Sequence, residues 1–115
     1  MKMTKDQAIE KYSEGLVKLL EQNLWIQSFR KTEHLWDDYI KDLWIPSLSY
    51  LWKLCEVYVY VDFEKNKNAM EVIGDKIRLS HTAEGFKVVY ENCVLYGDCP
   101  EEVVLKLFIE LESGK

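Results

Sequence analysis

The N-terminal part of the chain has apolar residues at helical spacing. Thr4 and Gln7 form the pattern of a capping box, which predicts that a helix begins here and runs to about residue 24. Gly15 lies inside this segment and costs about 1 kcal/mol relative to alanine, so we expect a close packing contact there. The apolar positions of the segment are Ile9, Tyr12, Leu16, Leu19, Leu20 and Leu24.

Residues 32–44 have the most regular pattern, in which pairs of polar residues alternate with pairs of apolar residues. Thr32 precedes the pattern as a helix cap. On a helix the apolar pairs would form two adjacent columns on one face, which predicts an amphipathic helix over 32–44. Its apolar face consists of Leu35, Trp36, Tyr39, Ile40, Leu43 and Trp44.

Pro46 ends this predicted helix, because the residue before a proline avoids helical geometry. Two alternatives stay open for the residues that follow. Pro46 either lies in the first turn of a short third helix that carries Leu48, Leu51 and Trp52, or it leads into extended chain.

From residue 55 the spacing of apolar residues changes to two, which predicts strands. The first strand covers 55–63, with Tyr58 and Tyr60 on its outward side, and a turn follows at 64–68. Short strands are predicted at 69–73 and 76–80 around a hairpin turn at 74–75. After a turn at 81–85, a last extended stretch covers 86–96 and breaks near 91–92.

The C-terminal part of the chain begins with strong helix-start signals. Asp98 or Cys99 is the cap, Pro100 lies in the first turn, and the carboxylates of Glu101 and Glu102 favour the positive end of the helix dipole. A helix is therefore predicted to run to the glycine at position 114. Its buried stripe is expected to consist of Val103, Val104, Leu107, Phe108 and Leu111.

This order of elements predicts a single α+β domain over residues 1–115. It has two or three N-terminal helices, a three- to four-stranded antiparallel sheet and a C-terminal helix in a two-layer sandwich. The length suits one domain, and the apolar fraction of 48% with 30% charged residues is typical of a globular protein.

The sequence also predicts where the protein is located and whether it contains a metal or cofactor. The sequence has no signal peptide and no apolar run near the ~18 residues of a membrane span. Its three cysteines lack the spacing of metal ligands, and no cofactor motif occurs. We therefore expect a cytoplasmic protein that does not bind a membrane and contains neither a metal nor a cofactor.

The net charge of −5 is concentrated near the C-terminus, where residues 91–115 hold two lysines and six acidic residues. This acidity argues against nucleic-acid binding, which needs a basic surface. This acidity favours a basic partner protein that would bind at the C-terminal helix.

Aromatic residues are numerous, with four Trp and seven Tyr, and such side chains are favoured at interfaces. Together with the acidic residues they are the candidate partner-binding positions: Trp36, Trp44, Tyr58, Tyr60, Glu101, Glu102 and Glu110. Cys99 is the candidate reactive thiol, because a helix N-terminus can lower the pKa of a cysteine.

No catalytic motif is recognisable, so the leading hypothesis is a small acidic non-enzymatic protein-interaction module, such as an inhibitor, immunity protein or antitoxin. The alternative is a small enzyme or ligand-binding domain, with a pocket between the sheet and the Trp-rich helices and with Cys99 or His81 at its rim. A homodimer through an aromatic surface is a third hypothesis.

Overall fold

The computed structural model of the protein describes residues 1–30, 37–65 and 77–113, with residues 57–65 described by their backbone alone. The described elements are helices and two three-stranded sheets, which confirms the predicted α+β class. In chain order they are β1 (Lys2–Met3), α1 (Lys5–Lys11), α2 (Glu14–Gln22), a 3₁₀ helix (Leu24–Phe29), β2 (Asp38–Ile40), β3 (Leu43–Ile45), α3 (Leu48–Lys65), β4 (Ile77–Thr82), β5 (Gly85–Tyr90), β6 (Cys93–Gly97) and α4 (Pro100–Ser113).

The capping box at the start of the first helix is present. The Thr4 hydroxyl accepts the Gln7 N–H at 3.1 Å, and the Gln7 side chain accepts the Thr4 N–H at 2.9 Å. The single helix predicted from residue 4 to residue 24 is instead divided into α1 and α2. The break occurs because Ser13 starts a new helix, its hydroxyl accepting the Leu16 N–H at 3.0 Å.

The helix predicted over 32–44 is wrong where the structure describes it, since residues 37–45 hold the antiparallel hairpin of β2 and β3. Residues 31–36 lie outside the described part. Tyr39 faces Trp44 across this hairpin, and the turn between the strands places Lys41 at a φ of 54°. Distant residues stabilise the extended form: β1 pairs with β2, and the Gln27 amide bonds both the N–H and the C=O of Trp44, at 2.7 and 2.9 Å.

The strand predicted over 55–63 is also wrong, because α3 continues through it to Lys65. The helical alternative for the residues after Pro46 is confirmed, although α3 is much longer than the short helix expected. Leu51 and Cys55, one helical turn apart, are fully buried, and the Cys55 thiol donates to the Val104 carbonyl of α4 at 3.7 Å. Burial of one α3 face against α4 therefore outweighs the β propensity of the alternating valines.

The C-terminal sheet is a meander in the order β4-β5-β6, antiparallel throughout. The predicted break near 91–92 is confirmed as a two-residue turn in which Glu91 has a φ of 53°. The strand predicted at 76–80 is present as β4, which extends two residues further than expected. The predicted strand at 69–73 and the turn at 74–75 lie outside the described residues.

Helix α4 is confirmed and packs against α2, α3 and one face of the C-terminal sheet. Val103, Val104, Leu107 and Phe108 of its predicted stripe are buried, whereas Leu111 is only half-buried. The core thus lies around α4, with Phe108 in contact with the rings of Trp25 and Phe29 from the 3₁₀ helix, and the beginning of α4 meets the beginning of α2.

Candidate functional site

A buried polar network joins the N-termini of α2 and α4. The Glu102 carboxylate accepts hydrogen bonds from the Ser13 hydroxyl at 2.6 Å, the Lys106 ammonium at 2.9 Å and the Asp98 N–H at 3.4 Å. Cys99 belongs to the same network, because its thiol donates to the Ser13 oxygen at 3.4 Å and accepts the Glu102 N–H. Ser13, Cys99 and Glu102 are all buried, so these contacts face the interior.

The expected close approach at Gly15 is confirmed in this network. A Cβ atom at Gly15 would lie 2.6 Å from the carboxyl carbon of Glu102, which is too close for any side chain. Gly97 approaches the same carboxylate from the end of β6, and a Cβ there would lie 3.1 Å from that carbon. The two glycines therefore leave room for a buried carboxylate between α2, β6 and α4.

Cys99 is the residue immediately before α4, one of the two cap positions predicted, and its sulfur accepts the Glu102 N–H. Burial raises the pKa of Cys99, and the nearby charges of Glu101 and Glu102 raise it further, against the lowering effect of its hydrogen bonds. The environment of Cys99 therefore disfavours the thiolate, which is the nucleophilic form of a cysteine.

The charged carboxylate of Glu102 is stabilised by partners within the protein. Burial alone would raise the pKa of this carboxyl, but hydrogen bonds from Ser13 and Lys106 bring the pKa below its ordinary value. Because Glu102 is only 3% exposed, a partner that docks on the surface does not reach it. Of the acidic candidates on α4, Glu110 is exposed and Glu101 is half-buried, so these two remain accessible.

Among the aromatic candidates, the structure places the side chain of Trp44. It is 4% exposed and packs edge-on against Tyr50, with ring centroids 5.2 Å apart, so it contributes to the interior and not to the surface. Trp36 and the side chains of Tyr58 and Tyr60 lie outside the described residues.

The C-terminal sheet has an outward face that the sequence did not reveal as a site. The side chains of Val88 and Tyr90 point inward and are buried, while their neighbours along β5 point outward. Val94 and Tyr96 on β6 are outward as well and are 46% and 49% exposed. By the strand register the outward side chains form two rows, Arg78–Val89–Val94 and Ser80–Lys87–Tyr96. We call these six residues the outer sheet face.

Sequence reasoning missed this face because β6 is apolar on both sides. Cys93 and Leu95 alternate with Val94 and Tyr96, so no polar side marks which residues face solvent. An apolar strand without alternation is typical of a strand covered on both faces. The sequence feature that could have revealed this face is the uninterrupted apolar run of β6, because α4 covers only one side of that strand.

An open groove of about 920 Å³ runs between the first half of α3 and the edge of β4. The alternative hypothesis expected a pocket between the sheet and the Trp-rich helices with Cys99 or His81 at its rim, and neither Cys99, His81 nor Trp44 lines this groove. Its lining residues are Leu48, Ser49, Trp52, Lys53, Glu56, Ile77, Arg78, Leu79 and Ser80.

In the described parts of the chain no helix is both long enough and apolar enough to cross a bilayer. The same parts contain no group of three or more His, Cys, Asp or Glu side chains placed to hold a metal ion.

Among the described side chains, the candidate sites are thus the outer sheet face and the groove beside α3, whereas the buried network is part of the packing. Comparison of the chain with protein-family models, curated proteins and solved structures gave no match.

Proposed function

We propose that this protein is a non-enzymatic protein-interaction module that binds its partner through the outer sheet face. The observation that carries the proposal is the exposure of Val94 and Tyr96 on a sheet whose opposite face is packed against α4. Leaving these two side chains half exposed forgoes hydrophobic stabilisation that a covering partner would supply, at roughly 25 cal/mol per Å² of apolar area.

The residue types of the outer sheet face suit a protein partner. Tyrosine and arginine are enriched at interfaces, and apolar side chains surrounded by polar ones form the centre of typical binding patches. Small inhibitors, immunity proteins and antitoxins work by covering a surface of their target and need no catalytic groups of their own. The engagement of Cys99 and Glu102 in packing is consistent with such a role.

A paired-variant affinity purification tests the proposal. The tagged full chain should recover a partner from its native cell, and Val94→Ser/Tyr96→Ala should weaken that recovery by about tenfold or more, or 1.4 kcal/mol. The matched control, Leu24→Ser, alters another exposed apolar side chain of the described residues and should leave recovery unchanged. Thermal melts by circular dichroism confirm that each variant is folded.

The same experiment tests the acidic surface predicted from the sequence. A variant with Glu101→Lys and Glu110→Lys reverses the accessible charges of α4. Loss of the partner in this variant, with full recovery by the sheet variant, would contradict the outer sheet face and support a basic partner on α4.

The groove between α3 and β4 supports a second candidate function, binding of an apolar small molecule. Leu48, Trp52 and Leu79 supply an apolar lining beside the charged side chains of Lys53 and Glu56, as ligand sites commonly do. A ligand in this groove should change tryptophan fluorescence across a panel of small apolar compounds, and Trp52→Phe should remove the response. A response that survives Trp52→Phe would place the ligand elsewhere.

A further inference from the structure

The charges of the outer sheet face are unlike those of the chain as a whole. The chain carries a net charge of −5, yet the charged residues of this face are the cations Arg78 and Lys87. Neither makes an ion pair with a described residue. Two unpaired cations beside exposed apolar side chains indicate that the complementary charges come from a partner.

The two kinds of residue occupy different halves of the face. The cations belong to β4 and β5, while Val89, Val94 and Tyr96 lie on β5 and on the edge strand β6. Arg78 and Lys87 are diagonal neighbours across the register, which places their Cα atoms about 7–8 Å apart. The cations therefore lie along one side of the outer sheet face, and the apolar residues lie beside them along the other side.

An amphipathic helix has the matching arrangement. Residues three or four apart on a helix have Cβ atoms about 5–6 Å apart, so two carboxylates on successive turns can reach both cations. An adjacent apolar stripe on the same helix then meets the apolar side of the face.

We propose that the outer sheet face binds an acidic amphipathic helix of the partner protein. Its carboxylates pair with Arg78 and Lys87, and its apolar stripe covers Val89, Val94 and Tyr96. The inference rests on the proposed function and specifies the chemistry of the partner for the same surface.

The observations favour this occupant over two others. Single-stranded nucleic acid also stacks on exposed aromatic rings, but it needs a wider basic groove than two cations on an acidic chain supply. A second copy of this chain carries an acidic helix, α4, but the apolar stripe of α4 is buried in its own core.

The test uses the full chain and a display library of short helical peptides with randomised surface positions, counter-selected on Val94→Ser/Tyr96→Ala. The enriched peptides should carry acidic residues three or four positions apart beside an apolar stripe. Arg78→Glu/Lys87→Glu should weaken binding of the synthetic consensus peptide by about tenfold or more, and a lysine-for-glutamate version of that peptide should regain binding to this variant. Lys5→Glu/Lys18→Glu makes the same change in net charge on α1 and α2 and should have no effect.

The outcomes separate this inference from the proposed function. Peptides that need Val94 and Tyr96 but bind equally well to Arg78→Glu/Lys87→Glu would overturn the acidic helix and leave the protein-binding face intact. Selection that yields no peptide dependent on Val94 and Tyr96 would contradict both. Tighter binding of oligo(dT) than of the consensus peptide, or a dimer in light scattering that Tyr96→Ala dissociates, would assign the face to another occupant and overturn the inference.

Discussion

Glu102→Ala should lower the free energy of unfolding by about 2 to 3 kcal/mol, because it removes the buried carboxylate that accepts hydrogen bonds from the buried Ser13 hydroxyl and from the partly exposed Lys106 ammonium. The carboxylate of Glu102 is the acceptor for Ser13 and Lys106, and Ser13 lies 89 residues away in the chain. The substitution therefore loosens the contact between α2 and α4 as well as the first turn of α4.

The matched control is Glu101→Ala, which removes the same group one residue earlier on the same helix. Glu101 is half-buried, and no hydrogen bond or ion pair joins its side chain to another described residue, so the change should stay within about 0.5 kcal/mol. Urea denaturation of both variants measures the difference. Equal losses for the two would show that Glu102 acts as a surface charge and not as part of the network.

The network also predicts how stability depends on pH. The pKa of Glu102 is lower in the folded protein than the ordinary value of 4.5, so this carboxylate stabilises the fold above pH 4.5. That contribution is lost as the pH falls through the pKa of the folded state. Asp38 also makes the fold less stable at acidic pH. Burial would raise the pKa of this carboxyl, but hydrogen bonds from Lys11 and Tyr12 lower the pKa below its ordinary value. Glu102→Ala should therefore lose less stability on acidification than the wild type, and an unchanged acid profile would contradict this assignment.

Gly15→Ala should destabilise the protein by about 2 kcal/mol, although alanine favours a helix by up to about 1 kcal/mol over glycine. The added Cβ would lie 2.6 Å from the carboxyl carbon of Glu102 and 2.8 Å from its Oε2 atom. A free glutamate could swing away at little cost, but this one would have to break its bonds to Ser13 and Lys106.

A double-variant cycle tests this explanation of Gly15. In the Glu102→Ala background the carboxylate is gone, so Gly15→Ala should cost less there than in the wild type, and the two effects should not add. The difference between Lys18→Gly and Lys18→Ala, at an exposed position of the same helix, measures the helix propensity of alanine over glycine. Strict additivity, or stabilisation by Gly15→Ala alone, would show that the close approach places no constraint on this position.

Local hydrogen bonding explains which parts of the fold could be predicted. The capping box of Thr4 and Gln7, the start of α4 at Pro100 and the turn at Glu91 each depend on residues a few positions apart. The α+β class follows from these local elements together with the alternation in the C-terminal strands.

The two segments that were assigned the wrong type of element have patterns that suit more than one structure. Paired apolar and polar residues around Tyr39 and Trp44 fit a helix face and also a short hairpin with a two-residue turn. The alternating valines after Cys55 favour a strand, but the packing of α3 on α4 favours a helix. In both segments the deciding contacts come from distant parts of the chain, β1 and Gln27 in one case and α4 in the other.

The candidate site likewise has features that the sequence predicts and features that only the tertiary structure determines. By itself the sequence determined where α4 begins, that Cys99 lies at its N-terminal end and Glu102 in its first turn, and that Gly15 needs a close neighbour, because these features depend on local geometry. Only the tertiary structure decided that Glu102 is the neighbour of Gly15, that Cys99 is buried, and that Val94 and Tyr96 face outward. The physical reason is that burial depends on which elements pack together, and here those elements are far apart in the sequence.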